Sequence, residues 1–204
     1  MVSVIVPYTP LTPSRERAWI YTQKKIHQIL PDCELIVADI SGNIRTYNKA
    51  QAIIDATKKV THEVVVVHDA DCWCKALPAA IQAIETNQCM VAIPHKAINN
   101  LNEVSTHCLY NNLPCTHKYK TRGITKCGLI VVMHRDVLQE FPPDIRFVGW
   151  GHEDHAWSYM IGSKYEFWLG NGVAWHLWHD RANKEVVNAN NSQLLQAYKK
   201  MYGP

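Results

Sequence analysis

The sequence predicts one α/β domain with a mostly parallel central sheet flanked by helices. Three observations carry that reading. Short apolar runs rich in β-branched residues recur along the chain, as strands buried on both faces do. Segments of helical period separate them, the alternation that builds parallel sheets. The 204 residues, 47% hydrophobic and 19% charged, are long enough to bury roughly 70% of the unfolded surface. No repeat, low-complexity stretch or composition shift divides them.

The elements follow in order. Val2–Val6 is apolar except for Ser3 and stops at Pro7. Glu34–Ala38, Glu63–Val67 and Met90–Ile93 are the next strands. Between them, Ser14 is placed to cap a helix running to about Leu30, with Trp19, Ile26, Ile29 and Leu30 as its apolar face. Thr46–Lys59 carries Ala50, Ile53, Ile54 and Thr57 at helical spacing. Ala76–Thr86 carries Leu77, Ala80, Ile81 and Ile84, with Pro78 in its first turn. Pro94–Lys126 has no clear period and is expected to be a long loop or small insertion. Gly128–Met133 returns to strand, Asp136–Phe141 to helix. Glu153–Ile161 is expected to be helical, Tyr165–Leu169 and Gly172–Leu177 to be two short strands, and Ser192–Tyr202 to be the last helix, stopped by Gly203.

Composition excludes several classes. A net charge of +3 does not argue for nucleic-acid binding. The start lacks a basic n-region and its apolar run is too short for a signal peptide. No run approaches the roughly 18 apolar residues of a membrane helix. A soluble, cytoplasmic protein with no membrane partner is the expectation. Seven cysteines scattered without a CxxC pair imply reduced thiols. His107, Cys108, Cys115 and His117 offer zinc-ligating atoms at a spacing that matches no common zinc motif, and a polar loop is the favoured reading over a zinc site. The unusual counts are 7 Trp and 11 His.

The first chemical feature is His68-Asp69-Ala70-Asp71, which follows the buried run Val64–Val67. Ligands of open α/β sheets bind at the carboxyl ends of strands. Asp69 and Asp71, at i and i+2 of an extended segment, can lean to the same mouth, where two oxygen ligands with open positions suit Mg²⁺ or Mn²⁺. A pair of turn or N-cap aspartates is the competing reading.

The order of these elements resembles the nucleotide-sugar glycosyltransferases of the GT-A fold, over roughly the first 90 residues. Val2–Tyr8 is similar to the opening strand of the large inverting family 2. Glu34–Asp39 is similar to that family's second strand, whose closing Asp contacts the uracil ring. Asn48 and Lys49–Ala56 resemble its second helix, and His68–Asp71 takes the place of its DxD motif. The chain departs from the family at Ile40, where a second Asp is common. The resemblance implies a nucleotide-sugar-binding half over 1–95 and an acceptor-binding half over 96–204. Pro7, Tyr8, Arg15, Asp39, Asn48, Asp69 and Ala70 are then expected at the donor, with Tyr8 stacking on the base and Arg15 meeting the pyrophosphate. A solvated helix face is the competing reading for Arg15 and Arg17.

The second feature is Phe147-Val148-Gly149-Trp150-Gly151-His152-Glu153-Asp154. Glycines flanking a Trp let the backbone approach a ligand under the indole. Two acids then open a helix, where the macrodipole favours their charged form. The stretch resembles the GWGxED segment of the β-1,4-galactosyltransferase and chondroitin-polymerase type. That resemblance implies Trp150 and Gly151 at the sugar, Asp154 as general base and Glu153 as its positioning neighbour. Gly128 sits where those families carry a Gly-Gly pair, with Cys127 replacing the first glycine. First-turn helix acids and a core Trp are the plain alternative.

His176-Leu177-Trp178-His179 follows. Similar enzymes draw a late His to the metal, and imidazole suits Mn²⁺ better than Mg²⁺. On an extended strand only one of the two points there; His176 is the first choice and His179 the second, unless a turn begins at Trp178. Trp178 is expected to line the sugar, and Arg181 to touch phosphate. Together these imply a metal-dependent inverting transfer from a nucleoside diphosphate sugar, UDP-linked by preference, to a hydroxyl of a glycan, protein, small molecule or hydroxymethylated base in DNA. A non-catalytic nucleotide-sugar or glycan-binding module is the reading of another class, and loss of the acids would mark it. A nucleotidyltransferase would want a glycine-rich phosphate loop, and Tyr8–Arg17 has no glycine.

Overall fold

The computed structural model describes residues 1–40, 47–149, 151–180 and 189–203. An eight-stranded sheet in the order β2-β1-β3-β7-β5-β8-β4, with β6 beside β5, forms its centre. β1 (Ser3–Tyr8) pairs in parallel with β2 (Glu34–Asp39) and β3 (Val64–His68). β7 (Ile130–His134) enters antiparallel between β3 and β5 (Val91–Leu101). β8 (Phe167–His176) runs parallel to β5, while β4 (Cys72–Cys74) and β6 (Tyr119–Arg122) close the edges antiparallel. The sheet is thus mixed in pairing, although β1, β2, β3, β5 and β8 share one direction.

Period-2 alternation splits the core into two layers. Val4 and Val6 of β1 face one cluster with Trp19 and Ile26 of α1 (Pro13–Ile29) and Leu77 and Ile81 of α3 (Leu77–Glu85). Ile5 faces the other, with Ile53 of α2 (Lys49–Thr57), Leu138 of α5 (Arg135–Glu140) and Trp157 and Ile161 of α6 (Glu153–Gly162). β3, buried along its whole length, is sandwiched between them. Each such valine or leucine contributes about 1.5–3 kcal/mol by burial.

Several boundaries differ from the sequence expectation, each for a tertiary reason. Thr12, not Ser14, caps α1, accepting from the Arg15 N–H at 3.3 Å. The Ser14 hydroxyl instead donates to Asp180 at 2.7 Å and accepts that residue's N–H at 3.0 Å, tying α1 to the segment after β8. The stretch 94–126 is not a loop. β5 continues to Leu101, then α4 (Glu103–Tyr110) and β6 follow. Pro94 and the register shifts around His95 disguise this strand. Its irregular backbone is accommodated by β8, where a Cβ on Gly170 or Gly172 would lie 2.6 or 2.5 Å from the Pro94 carbonyl oxygen. Those glycines sit inside one long strand, so the two short strands expected there are one. α7 (Ala189–Tyr202) begins three residues earlier than expected. Among the described residues no helix is long and apolar enough to cross a membrane.

Candidate active site

The carboxyl ends of β1, β2 and β3 open onto one mouth, with the end of β8 and the start of α6 across it. Tyr8 and Asp39 are register partners at the ends of β1 and β2. Pro7 is buried beneath them, and the Tyr8 ring lies 5.4 Å from that of Trp19. Arg15, one turn into α1, has a buried Nε with no hydrogen-bond partner. Asn48 caps α2, accepting from the Gln51 N–H at 2.9 Å and donating to the Ile145 carbonyl at 2.7 Å. Ala70 is buried between the two aspartates.

Those aspartates part company. Asp71 joins His176 and His179, and their ligating atoms all lie within 4.8 Å of one another. His179 Nε2 is 3.1 Å from Asp71 Oδ2, and His176 Nε2 is 3.5 Å from Oδ1. Both histidines reach Asp71 because β8 ends at His176. The Leu177 N–H donates to the Asp71 carbonyl and the Trp178 N–H to Thr106 Oγ1, so the chain bends and returns His179 to the same side. Burial pushes the Asp71 carboxyl up, but His176, His179 and Arg15 outweigh it and hold the group well below the usual range. Burial also lowers His176, while Asp71 overcomes burial and raises His179. Asp71 Oδ1 is buried without a hydrogen bond. One carboxylate and two imidazoles, with that orphaned oxygen, fit a divalent transition-metal ion. Among the described residues this is the one such group. Cys115 Sγ lies 3.3 Å from His117 Nδ1, but the four zinc candidates do not assemble.

Asp69 turns the other way. Its carboxylate is 2.9 Å from Lys49 Nζ, which is 3.1 Å from the Asp154 carboxylate. Sequence reasoning missed Lys49. A signal existed: a lysine in the first turn of a helix opposes the macrodipole, a local cost that asks for a compensating partner. One ammonium serves three carboxylates, because Glu153 also acts on it. Burial disfavours the Lys49 charge, yet these acids raise its pKa well above normal. The Asp154 carboxyl is raised to about 7, by burial first and by Glu153 and Asp69 next, against the opposing pull of Lys49.

Glu153 folds back to accept the Gly151 N–H at 3.2 Å. Gly149 (φ 74°), Gly151 (φ 112°) and His152 (φ 74°) all take left-handed backbone before α6, a run that explains the glycines. Trp150 and Arg181 lie outside the described residues. Gly128 backs Asp154, since a Cβ there would sit 3.2 Å from its Oδ2. Asn191 of α7, fully buried, was also missed. Its amide donates to the Val148 carbonyl at 3.1 Å and the Gly151 carbonyl at 3.0 Å. Asn191→Ala is expected to cost about 1–3 kcal/mol by removing the buried amide's hydrogen bonds to two carbonyls, read as a lower denaturant midpoint at unchanged slope.

This architecture is the GT-A glycosyltransferase fold. The chain is similar to glucosyl-3-phosphoglycerate synthase from Mycobacterium tuberculosis, crystallised with Mn²⁺, UDP-glucose and phosphoglyceric acid, at 15% identity and a TM-score of 0.60 over 100% of this chain and 79% of that one. It is similar to S. aureus TarS with UDP-GlcNAc at 11% identity and TM-score 0.59, covering 97% and 66%. GalNAc-T7 with UDP, GalNAc and Mn²⁺ gives 12% and 0.52, covering 88% and 44%. No protein-family model and no curated protein sequence matches the chain.

Proposed function

We propose that this protein is a metal-dependent inverting glycosyltransferase that uses a nucleoside diphosphate sugar, UDP-linked, and an acceptor hydroxyl. The observation that carries the reading is the pair of facing groups at one sheet mouth: Asp71, His176 and His179 on one side, and Asp154 with its perturbed carboxyl on the other. The fold neighbours crystallised with Mn²⁺ or Mg²⁺ and UDP or UDP-sugars support it.

Asp71, His176 and His179 hold Mn²⁺, or Mg²⁺, which when bound neutralises charge on the departing diphosphate. Arg15 adds a second positive charge beside Asp71 and His179. Tyr8 and Asp39 receive the base and ribose. Asp154 accepts the proton of the acceptor hydroxyl as that oxygen bonds to the anomeric carbon and the bond to the diphosphate breaks. Lys49 anchors Asp69 and aims the Asp154 carboxylate. Gly151 and Trp178 border the sugar.

Thermal denaturation with Mn²⁺ and a panel of nucleotide sugars tests this. A UDP-sugar at a hundred times its Kd is expected to raise apparent stability by about 2.7 kcal/mol. No response to any nucleotide sugar with metal present would sink the reading. Gly128→Ala sharpens it. The added methyl presses on Asp154 Oδ2 and on Thr125 Cβ, 3.3 Å away, and Lys49 leaves the carboxylate little room to yield. Transfer is expected to fall about tenfold or more with donor binding intact.

A further inference from the structure

The chain carries +3 overall, yet residues 94–127 hold Lys96, Lys118, Lys120, Arg122 and Lys126 against a single acid, Glu103. That segment alone exceeds the charge of the whole protein. Lys96, Lys118, Lys120 and Arg122 form no ion pair among the described residues. Every residue of β6 is exposed.

The register fixes where these charges face. Lys120 pairs with Asn100 of β5, and Asn100 pairs with His176 of β8. Partners across a ladder share a face, so Lys120 lies on the face of His176, two strands or roughly 10 Å away. Arg122, two residues along, is on the same face. The intervening residues confirm the assignment on the opposite face. Thr121 Oγ1 contacts Asn99 Oδ1 at 2.8 Å, and the Tyr119 ring lies 5.2 Å from that of Trp175. The Arg122 charge also reaches toward α6. Burial lowers both His95 and His155, and Arg122 pushes each the same way. Arg122 thus acts electrostatically on His95 of β5 and on His155 of α6. The nucleoside side of the mouth, at β1 and β2, is at the far end of the strand order.

We propose that β6 is the acceptor's anion-binding strand, and that the acceptor carries a phosphate ester near the hydroxyl that reacts. This rests on the glycosyltransferase reading and adds the chemical class of its acceptor. A guanidinium fork beside a lysine point charge grips a tetrahedral oxyanion through charge-assisted hydrogen bonds. Free cations along an open strand also steer an incoming anion. Lysines on an edge strand commonly guard against sheet-to-sheet association, but that duty places no demand on which face they occupy or on what they flank.

Binding to the full chain is measured with sn-glycerol 3-phosphate, a short single-stranded oligodeoxynucleotide and uncharged glycerol, for wild type and the Lys120→Gln/Arg122→Gln variant. One phosphate probe, or both, is expected to bind wild type above glycerol and to weaken at least tenfold in the variant. Preference for the first marks a small phosphomonoester acceptor, and preference for the second a phosphodiester polymer. In the polymer case the slope of log affinity against log salt should shrink by about 1.4, roughly 0.7 per lost contact. Equal binding of phosphate probes and glycerol, equal affinity of the two proteins, or a variant that only self-associates would each overturn the proposal. Donor binding with Mn²⁺ is titrated separately. Donor bound with phosphate probes ignored overturns the acceptor assignment alone; no donor bound overturns the transferase reading and this assignment with it.

Discussion

Asp154→Asn is expected to lower transfer by about 10²–10⁴-fold, the usual contribution of a positioned proton acceptor, while UDP-sugar and Mn²⁺ still bind. The substitution keeps shape and removes the carboxylate assigned to take the acceptor's proton. For wild type, kcat/KM should rise with pH through about 7, where Asp154 ionises, because only the carboxylate form acts as base. Lys49→Met removes the cation that favours that form, so the rising limb should move to higher pH. A single limb left in place by Lys49→Met would refute the coupling. Stability should carry the opposite sign. Asp154 binds its proton more tightly folded than unfolded, so its contribution is complete below the ordinary carboxylate value of about 4. It is then lost as pH rises through about 7. Asp154→Asn should therefore be less sensitive to alkaline pH in denaturant titrations than wild type, a site that trades stability for reactivity.

The site was legible where chemistry follows from residue type beside a recognisable element. Asp71 closely follows a buried valine strand, and Glu153 and Asp154 begin a helix where first-turn acids belong. The same logic failed where partners are distant in the chain. Alternation predicts Asp69 and Asp71 leaning to one mouth, and it has no means of anticipating that Lys49 draws Asp69 toward Asp154. Period 2 along β8 allows one histidine at Asp71. The bend after His176 exists because Asp71 and Thr106 offer acceptors to Leu177 and Trp178, contacts set by tertiary packing. In the fold, β1 to β3 were readable because strands buried on both faces are continuously apolar. β5 was readable only over Met90–Ile93; its continuation to Leu101 was not, because Pro94, Asn99 and Asn100 suit a bulged strand over glycines, a pattern without a simple period.

Asp71→Ala and His176→Ala should each weaken Mn²⁺ binding by more than about a hundredfold, since even groups that only orient metal ligands cost 10–100-fold when lost. The free Mn²⁺ electron paramagnetic resonance signal measures this without any turnover. His179→Ala should behave alike, because its Nε2 is the closer of the two to the Asp71 carboxylate. If Mn²⁺ affinity survives in His179→Ala but not His176→Ala, His179 is a hydrogen-bond donor to Asp71 and the ion keeps two protein ligands. The donor set also makes a selectivity prediction. Two imidazoles favour Mn²⁺ over the harder Mg²⁺, so His179→Asp should narrow that preference by restoring an all-oxygen partner beside Asp71. Removing a ligand should not unfold the chain. Asp71 is buried among cationic neighbours that hold it ionised, and the histidines left without it can shed their protons near neutral pH. Metal binding, donor binding and folding should therefore separate. Loss of Mn²⁺ affinity with an unchanged denaturant midpoint and slope would assign the three residues to the ion itself.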